Sequence, residues 1–351
     1  MSLIRTGAVL AGASCAFIAG CADTNALLPD PVEVLLVVNR TSNTLSIIPV
    51  ETPGSAVQVG LGGGSPTPLG VSARGQFALV PLGSADAVAV VDLRNAQLLN
   101  RVTLPENSGA TGSAIVDDSI AYVANPNLNT VSRVNYLEGT TSEVEAGVHP
   151  QAVIFTRGRL FVLNGNLDQN LEPVGESWLT VIDPVTNDRS PGTDFIPLTG
   201  PGNAGFAALG GDGLLYVLSS GSPSAGEGRL SIVDPVDRIE IASFSGFGLA
   251  PGSVASDREA RIFVSSLAEG LMEFNTDSNK VVRGAGEGLP IANNTAVVVD
   301  SRGRVYAIES GDCGTGQNGV AHVLNEELEE VRTIALGRCS VGAAIAEIPP
   351  E

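Results

Sequence analysis

The chain is poor in the residues that carry most enzyme chemistry. Across 351 residues it has two histidines, one tryptophan and four cysteines. It contains no CxxCH to attach a c-type haem and no HExxH to set two imidazoles on one helix face, which argues against a cytochrome and a zincin-type hydrolase. Positive charge is also scarce, with 19 Lys and Arg against 38 Asp and Glu, so phosphate backbones are poor partners and nucleic acid is not expected. The glycine-rich stretch GLGGGSPTP (60–68) lacks the lysine and the following helix of a phosphate loop and reads as a long turn. Segments of helical promise are few. What the chain has instead is 43% apolar residues, enough for a substantial core, together with 42 glycines and 21 prolines. That combination suits many short strands joined by tight turns.

The N-terminus points to export. Residues 1–21, MSLIRTGAVLAGASCAFIAGC, carry one early cation (Arg5), an apolar run too short to span a bilayer, and small residues before a cysteine. Ile18, Ala19, Gly20 and Cys21 resemble the bacterial lipobox, which implies a signal peptide over 1–20, diacylation of Cys21 and an acylated N-terminus with a short tether over 21–31. Several acyl chains make anchoring stable. With no Asp directly after Cys21, the resemblance implies the outer membrane in a two-membrane cell, facing the periplasm or the cell surface. Cleavage removes Cys15 and acylation takes Cys21, leaving Cys313 and Cys339 as the remaining pair in an oxidising compartment. A disulfide between them is expected as a staple across the last blade near the closure seam, stabilising by about 3 kcal/mol.

The body of the chain repeats. A short strand ending in a polar residue recurs at EVLLVVN (to Asn39), IAYVAN (to Asn125), RLFVLN (to Asn164), near Ser219, near Ser265 and near Glu309, with QFALVP (to Pro81) in the same series. These landmarks are spaced about 39 to 55 residues apart, the spacing of propeller blades. Each is followed by an alternating strand such as AVAVVDL or LSIVDPV, then by a more polar strand suited to a solvent edge. A strand rich in small residues closes each unit and fits the crowded axis of a radial array. Seven such units predict an all-β, seven-bladed propeller of four-stranded antiparallel blades over 32–348, with a tail at 349–351. The chain begins on a blade's second strand and ends with SVGAAIAEI, so the N- and C-terminal strands are expected to share one blade and close the ring.

Tyr122 to Asn125 (YVAN), Thr180 to Asp183 (TVID) and Gly147 to Val153 (GVHPQAV) resemble the bacterial YVTN β-propeller repeat family. No unit spells the whole motif, and the unit after Asn164 is stretched. The resemblance implies a propeller lipoprotein of the cell envelope.

Candidate site residues follow from this frame. Asn39, Asn125, Asn164, Ser219, Ser265 and Glu309 end equivalent strands and are expected around one rim, with His149 in a turn leading to the channel mouth. Such residues either contact a ligand or satisfy turn backbone. Asp168, Glu172 and Glu176 in the long 164–177 loop, with Asp312, are oxygen donors suited to Ca²⁺, although their spacing matches no EF-hand and a solvated loop is the plainer reading. His322, inside a strand, is read as packing or solvated. Two functions compete. One is a non-enzymatic binding or scaffold module, expected to be monomeric, presenting loops to an envelope protein, glycan or small ligand and needing no cofactor. The other is a metal-dependent propeller hydrolase or lactonase with Glu309, Asp312, Asn125 and Asn164 at the central channel.

Overall fold

A computed structural model describes residues 30–190, 192 and 194–350. The expected signal peptide, Cys21 and residues 22–29 lie outside the described residues. Seven antiparallel sheets form a ring, each running from a central strand outward. The first blade comprises Ser72–Arg74, Phe77–Pro81, Ala87–Asp92 and Gln97–Thr103, and the next five repeat that plan along the chain. In the third blade the outer strand is split into Asp188–Arg189 and Phe195–Pro197, both paired with Trp178–Asp183, which together with the long 164–177 loop accounts for its stretched sequence.

The seventh blade is made from both ends of the chain. Ser340–Ile348 is its innermost strand and pairs antiparallel with Val32–Asn39, from Val32 opposite Ile348 to Asn39 opposite Ser340. Thr44–Pro49 and Val57–Gly60 complete it. Closure by mixed termini leaves no open sheet edge between the first and last blades.

Alternation explains the core. In the second strands successive side chains point to opposite neighbouring blades: Leu35 and Val37 pack toward the sixth blade, whereas Val34, Leu36 and Val38 pack toward the first. Both faces of these strands are therefore apolar, and they read as continuous buried runs. The outer strands alternate or are exposed, as in Thr140–Glu145, where Val144 alone is buried.

Two turn devices recur. Many third strands end in Asp or Asn, whose Oδ1 accepts backbone N–H groups from the turn beyond, as Asp92 does from Arg94 and Asn95 and Asp234 from Val236 and Asp237. This local capping is the physical content of the repeated VID and VVD sequences. In five blades the innermost strand carries a bulge at its first channel-facing residue, for example between Pro150 and Ala152. The extra residue turns toward the axis.

The ring has two unlike faces. One holds the loops after the second strands and the links between blades, and is called the linker face. The other holds the remaining turns and the point where the described chain begins, and is called the terminus face.

The Cys313–Cys339 disulfide is formed, with Cα atoms 4.6 Å apart. It lies on the linker face and joins a loop of the sixth blade to the link that leads into the seventh, so it bridges two blades at the seam rather than stapling one. Cys339 has φ +57°, the left-handed conformation that starts five of the seven innermost strands. Among the described residues no helix is long and apolar enough to cross a membrane.

Candidate functional site

The axis of the ring is a channel of about 860 Å³. Its wall is built from the innermost strands and is dominated by Gly, Ala, Ser and Val, with Phe206, Leu209 and Leu69 among the larger apolar side chains that line it. At the linker-face mouth stand Leu69, Thr111, Gln151, Gly205, Gly252 and Val341. Hydrogen bonds tie neighbouring blades here. Thr111 Oγ1 donates to the Gln151 carbonyl at 2.7 Å, Gln151 Nε2 donates to Asn203 Oδ1 at 2.7 Å, and Thr295 Oγ1 donates to the Ser340 carbonyl at 2.8 Å. Among the described residues, Arg258 at the opposite end is the one charged residue lining the channel, and no carboxylate lines it.

The expected rim residues lie elsewhere. Asn39, Asn125, Asn164, Ser219 and Ser265 are buried. Asn39 Nδ2 donates to Thr44 Oγ1 and Ser46 Oγ, and its Oδ1 accepts from the Gly337 N–H and the Ser340 hydroxyl. Asn125 repeats the first half, donating to Thr130 Oγ1 and Ser132 Oγ. Asn164 donates to Thr180 Oγ1 and the Trp178 carbonyl. These amides fasten the second strand to the third and offer a ligand no accessible atom in this conformation. Ser265 is also one residue out of step: Ser266 pairs with Pro251 as Asn164 pairs with Pro150, and it is Ser266 that caps the following turn by accepting from the N–H groups of Ala268 and Glu269.

Glu309 holds the equivalent position but is paired. Its Oε2 lies 3.0 Å from His322 Nε2, and Glu330 Oε2 lies 2.6 Å from His322 Nδ1. Burial would lower the His322 pKa, but the hydrogen bonds to Glu330 and Glu309 outweigh it and hold it above the ordinary value. The imidazole thus bridges three strands of the sixth blade. Reading His322 as packing or solvated missed this, because its partners come from neighbouring strands.

The oxygen donors do not converge. Asp168 accepts from the backbone of Asn170 and Glu172, bonds that depress its pKa, and Asp312 does the same with Thr315 and Gly314. Glu172 accepts from the Ser222 hydroxyl across to the next blade. Glu176 is exposed, and its carbonyl accepts from Asn166 Nδ2. Among the described residues no three His, Cys, Asp or Glu side chains are placed to hold a metal ion. The four residues of the hydrolase reading are accordingly scattered: two amides are buried in hairpins, Glu309 is engaged by His322 and Asp312 caps its own turn.

The structure does bring together a platform on the linker face. The 164–177 loop folds into a small hairpin with Leu167 opposite Pro173, closed by the Asp168 N–H to the Glu172 carbonyl and the Val174 N–H to the Asn166 carbonyl. Leu171, at φ +63°, is 53% exposed at its tip, and Val174, opposite Asn166 nearer the base, is 63% exposed. The hairpin is seated on the link between the third and fourth blades, where the Asn203 N–H reaches the Gly165 carbonyl and Asn203 Nδ2 reaches the Gly221 carbonyl. Ser222 in the 219–229 loop then joins Glu172 at 2.9 Å. His149 lies at the base, half-buried, its carbonyl accepting from the Gly165 N–H and its pKa lowered by burial.

No family model matches the chain, and no curated protein does. Among solved structures, the chain is similar to hydrazine synthase of Kuenenia stuttgartiensis, with 14% identity and a TM-score of 0.60 over 75% of this chain and 77% of that one. It is also similar to a streptogramin B lyase, with 11% identity and a TM-score of 0.61 over 80% of this chain and 91% of that one. At such identities the likeness is one of fold, and both neighbours are β-propellers.

Proposed function

We propose that the chain is an extracytoplasmic binding propeller of the YVTN repeat type, anchored by acylation of Cys21 to the outer membrane, which presents its linker face to an envelope protein. The ordered 164–177 hairpin carries this reading. Folding costs backbone entropy, and an excursion that spends it to hold Leu171 and Val174 in water gains nothing until a partner covers them. Acidic Glu172 beside Leu171 and Glu176 nearer the base favour a partner whose apolar pocket has a basic border. The Cys313–Cys339 disulfide suits an oxidising compartment outside the cytoplasm. The rim amides Asn39, Asn125 and Asn164 are buried and consumed in hairpins, which favours binding over hydrolysis through them at the axis.

The test is a photo-crosslinking residue placed at Leu171 in the cell envelope, with Thr140 on an exposed outer strand as the control position. A discrete adduct at 171 that is absent at 140, and that disappears when Val174→Ser and Glu172→Ala are added, is the expected result. Identical crosslinking at both positions refutes the platform. Radiolabelled palmitate incorporation, lost in Cys21→Ser, tests the anchor separately.

A further inference from the structure

The terminus face carries its own asymmetry. In every blade the turn after the third strand has a residue two places beyond the capping position, and the seven equivalents are Arg94, Leu137, Val185, Val236, Asp277, Glu327 and Glu51. Four are charged, as an exposed turn tip ordinarily is. The other three, in the consecutive second, third and fourth blades, are apolar and exposed: Leu137 at 52%, Val185 at 89% and Val236 at 66%. Each is held outward by its cap, since Asn135, Asp183 and Asp234 accept the N–H groups of Leu137, Val185 and Val236 at 3.2, 2.9 and 2.7 Å. The tips are therefore rigid, and they lie on one side of one face.

That face is also where the chain enters the ring. Pro31 and Glu33 line a recess of about 870 Å³ that shares Ser256, Arg258, Val299 and Ile345 with the channel, so the described chain begins close to the axis. The nine steps from Cys21 to Asp30 reach at most about 32 Å when fully extended. A lipid on Cys21 would thus hold the terminus face within a few nanometres of the bilayer.

We propose that the terminus face docks on the membrane surface, with Leu137, Val185 and Val236 entering the interfacial layer. The inference rests on the acyl anchor proposed above. The occupant is a lipid surface because the short tether delivers this face to lipid before any other partner, at high effective concentration. Three small apolar contacts suffice once the anchor supplies proximity. Glu33, Asp257, Glu259 and Glu347 around the recess repel anionic headgroups, so the favoured surface is zwitterionic. Docking tilts the ring toward the second to fourth blades and turns the 164–177 platform away from the membrane.

The experiment uses the full lipidated chain in phosphatidylethanolamine and phosphatidylcholine vesicles containing brominated acyl chains, which quench tryptophan on contact. Trp178, the single tryptophan, starts a third strand at the linker face and serves as the internal reference. Val185→Trp is expected to add emission that brominated lipid removes, while Asp277→Trp at the equivalent tip of the fifth blade and Trp178 keep theirs. Equal quenching of the two tips, or none, overturns the docking. Acylated, vesicle-bound protein with an unquenched Val185→Trp refutes the docking and leaves the anchor standing. Protein that is neither acylated nor floated with vesicles removes both. A Val185→Trp emission shift without lipid, accompanied by a doubled mass in solution, assigns the tips to a second copy and also overturns the proposal.

Discussion

Asn39 and Asn125 end equivalent strands, are both fully buried and donate to the same kinds of hydroxyl, yet their replacement by alanine should differ in cost. Asn125→Ala removes two donated hydrogen bonds and leaves the buried Ser132 hydroxyl without that partner, while Asn125 Oδ1 itself has no protein partner to lose. At about 1–3 kcal/mol for a buried polar group left unpaired, the cost is about 2 kcal/mol. Asn39→Ala strands Ser46 in the same way and in addition frees the buried Gly337 N–H, which donates to Oδ1 at 3.0 Å. The Ser340 hydroxyl also loses its 2.8 Å bond and keeps only a 3.4 Å contact to the Gly337 carbonyl. The expected cost is about 4 kcal/mol, twice that of the other site. Urea titration with the disulfide intact, followed by circular dichroism and tyrosine fluorescence, measures both. The midpoint should fall further for Asn39→Ala with unchanged slope. If Asn125→Ala is equally damaging, the reasoning that Oδ1 pairing at the seam makes the difference is refuted.

Three further outcomes are expected. Reducing Cys313–Cys339, or replacing both cysteines by serine, should lower stability by about 3.5 kcal/mol for a separation of 26 residues; an unchanged denaturation midpoint would show that the seam does not depend on the cross-link. Because the folded His322 pKa is raised above 6.5, its contribution is fully present below that value and is lost as pH rises through the elevated folded pKa. His322→Gln should flatten that part of the stability profile, and an NMR titration giving a depressed pKa would contradict the geometry. A Cβ on Gly112 would lie 2.7 Å from Ala152 Cα and from the Gln151 carbonyl oxygen, so Gly112→Ala must push the second and third blades apart at a cost of about 1–3 kcal/mol; Gly60→Ala, with open space around it, should be neutral by comparison.

The seven blades, their strand order and the shared terminal blade were legible because alternation and repeat spacing are local signals that every unit restates. The candidate rim was less so. Asn is chosen both where a side chain meets a ligand and where it fastens two strands, and only burial separates the cases at Asn39, Asn125 and Asn164. Register was ambiguous at Ser265 and Ser266 because two adjacent serines satisfy one pattern, and the bulge between Pro251 and Ser253 decides which of them is the cap. His322 was opaque for another reason: its partners, Glu309 and Glu330, are 13 and 8 residues away and become neighbours only through sheet pairing. Of the apolar tips, Val236 stood in the LSIVDPV motif, but its exposure, like that of Leu137 and Val185, depends on the capped turn in which it sits.

The position of the first strand has a mechanical consequence. Val32–Asn39 is an interior strand, bonded on one side to Ser340–Ile348 and on the other to Thr44–Pro49. A pull applied through the N-terminal segment acts along that strand and must shear two ladders at once, with the bonds loaded in parallel. Had the chain begun on an outermost strand, the same force would load one ladder instead of two. A propeller held by its N-terminus is in this arrangement gripped through two ladders rather than one.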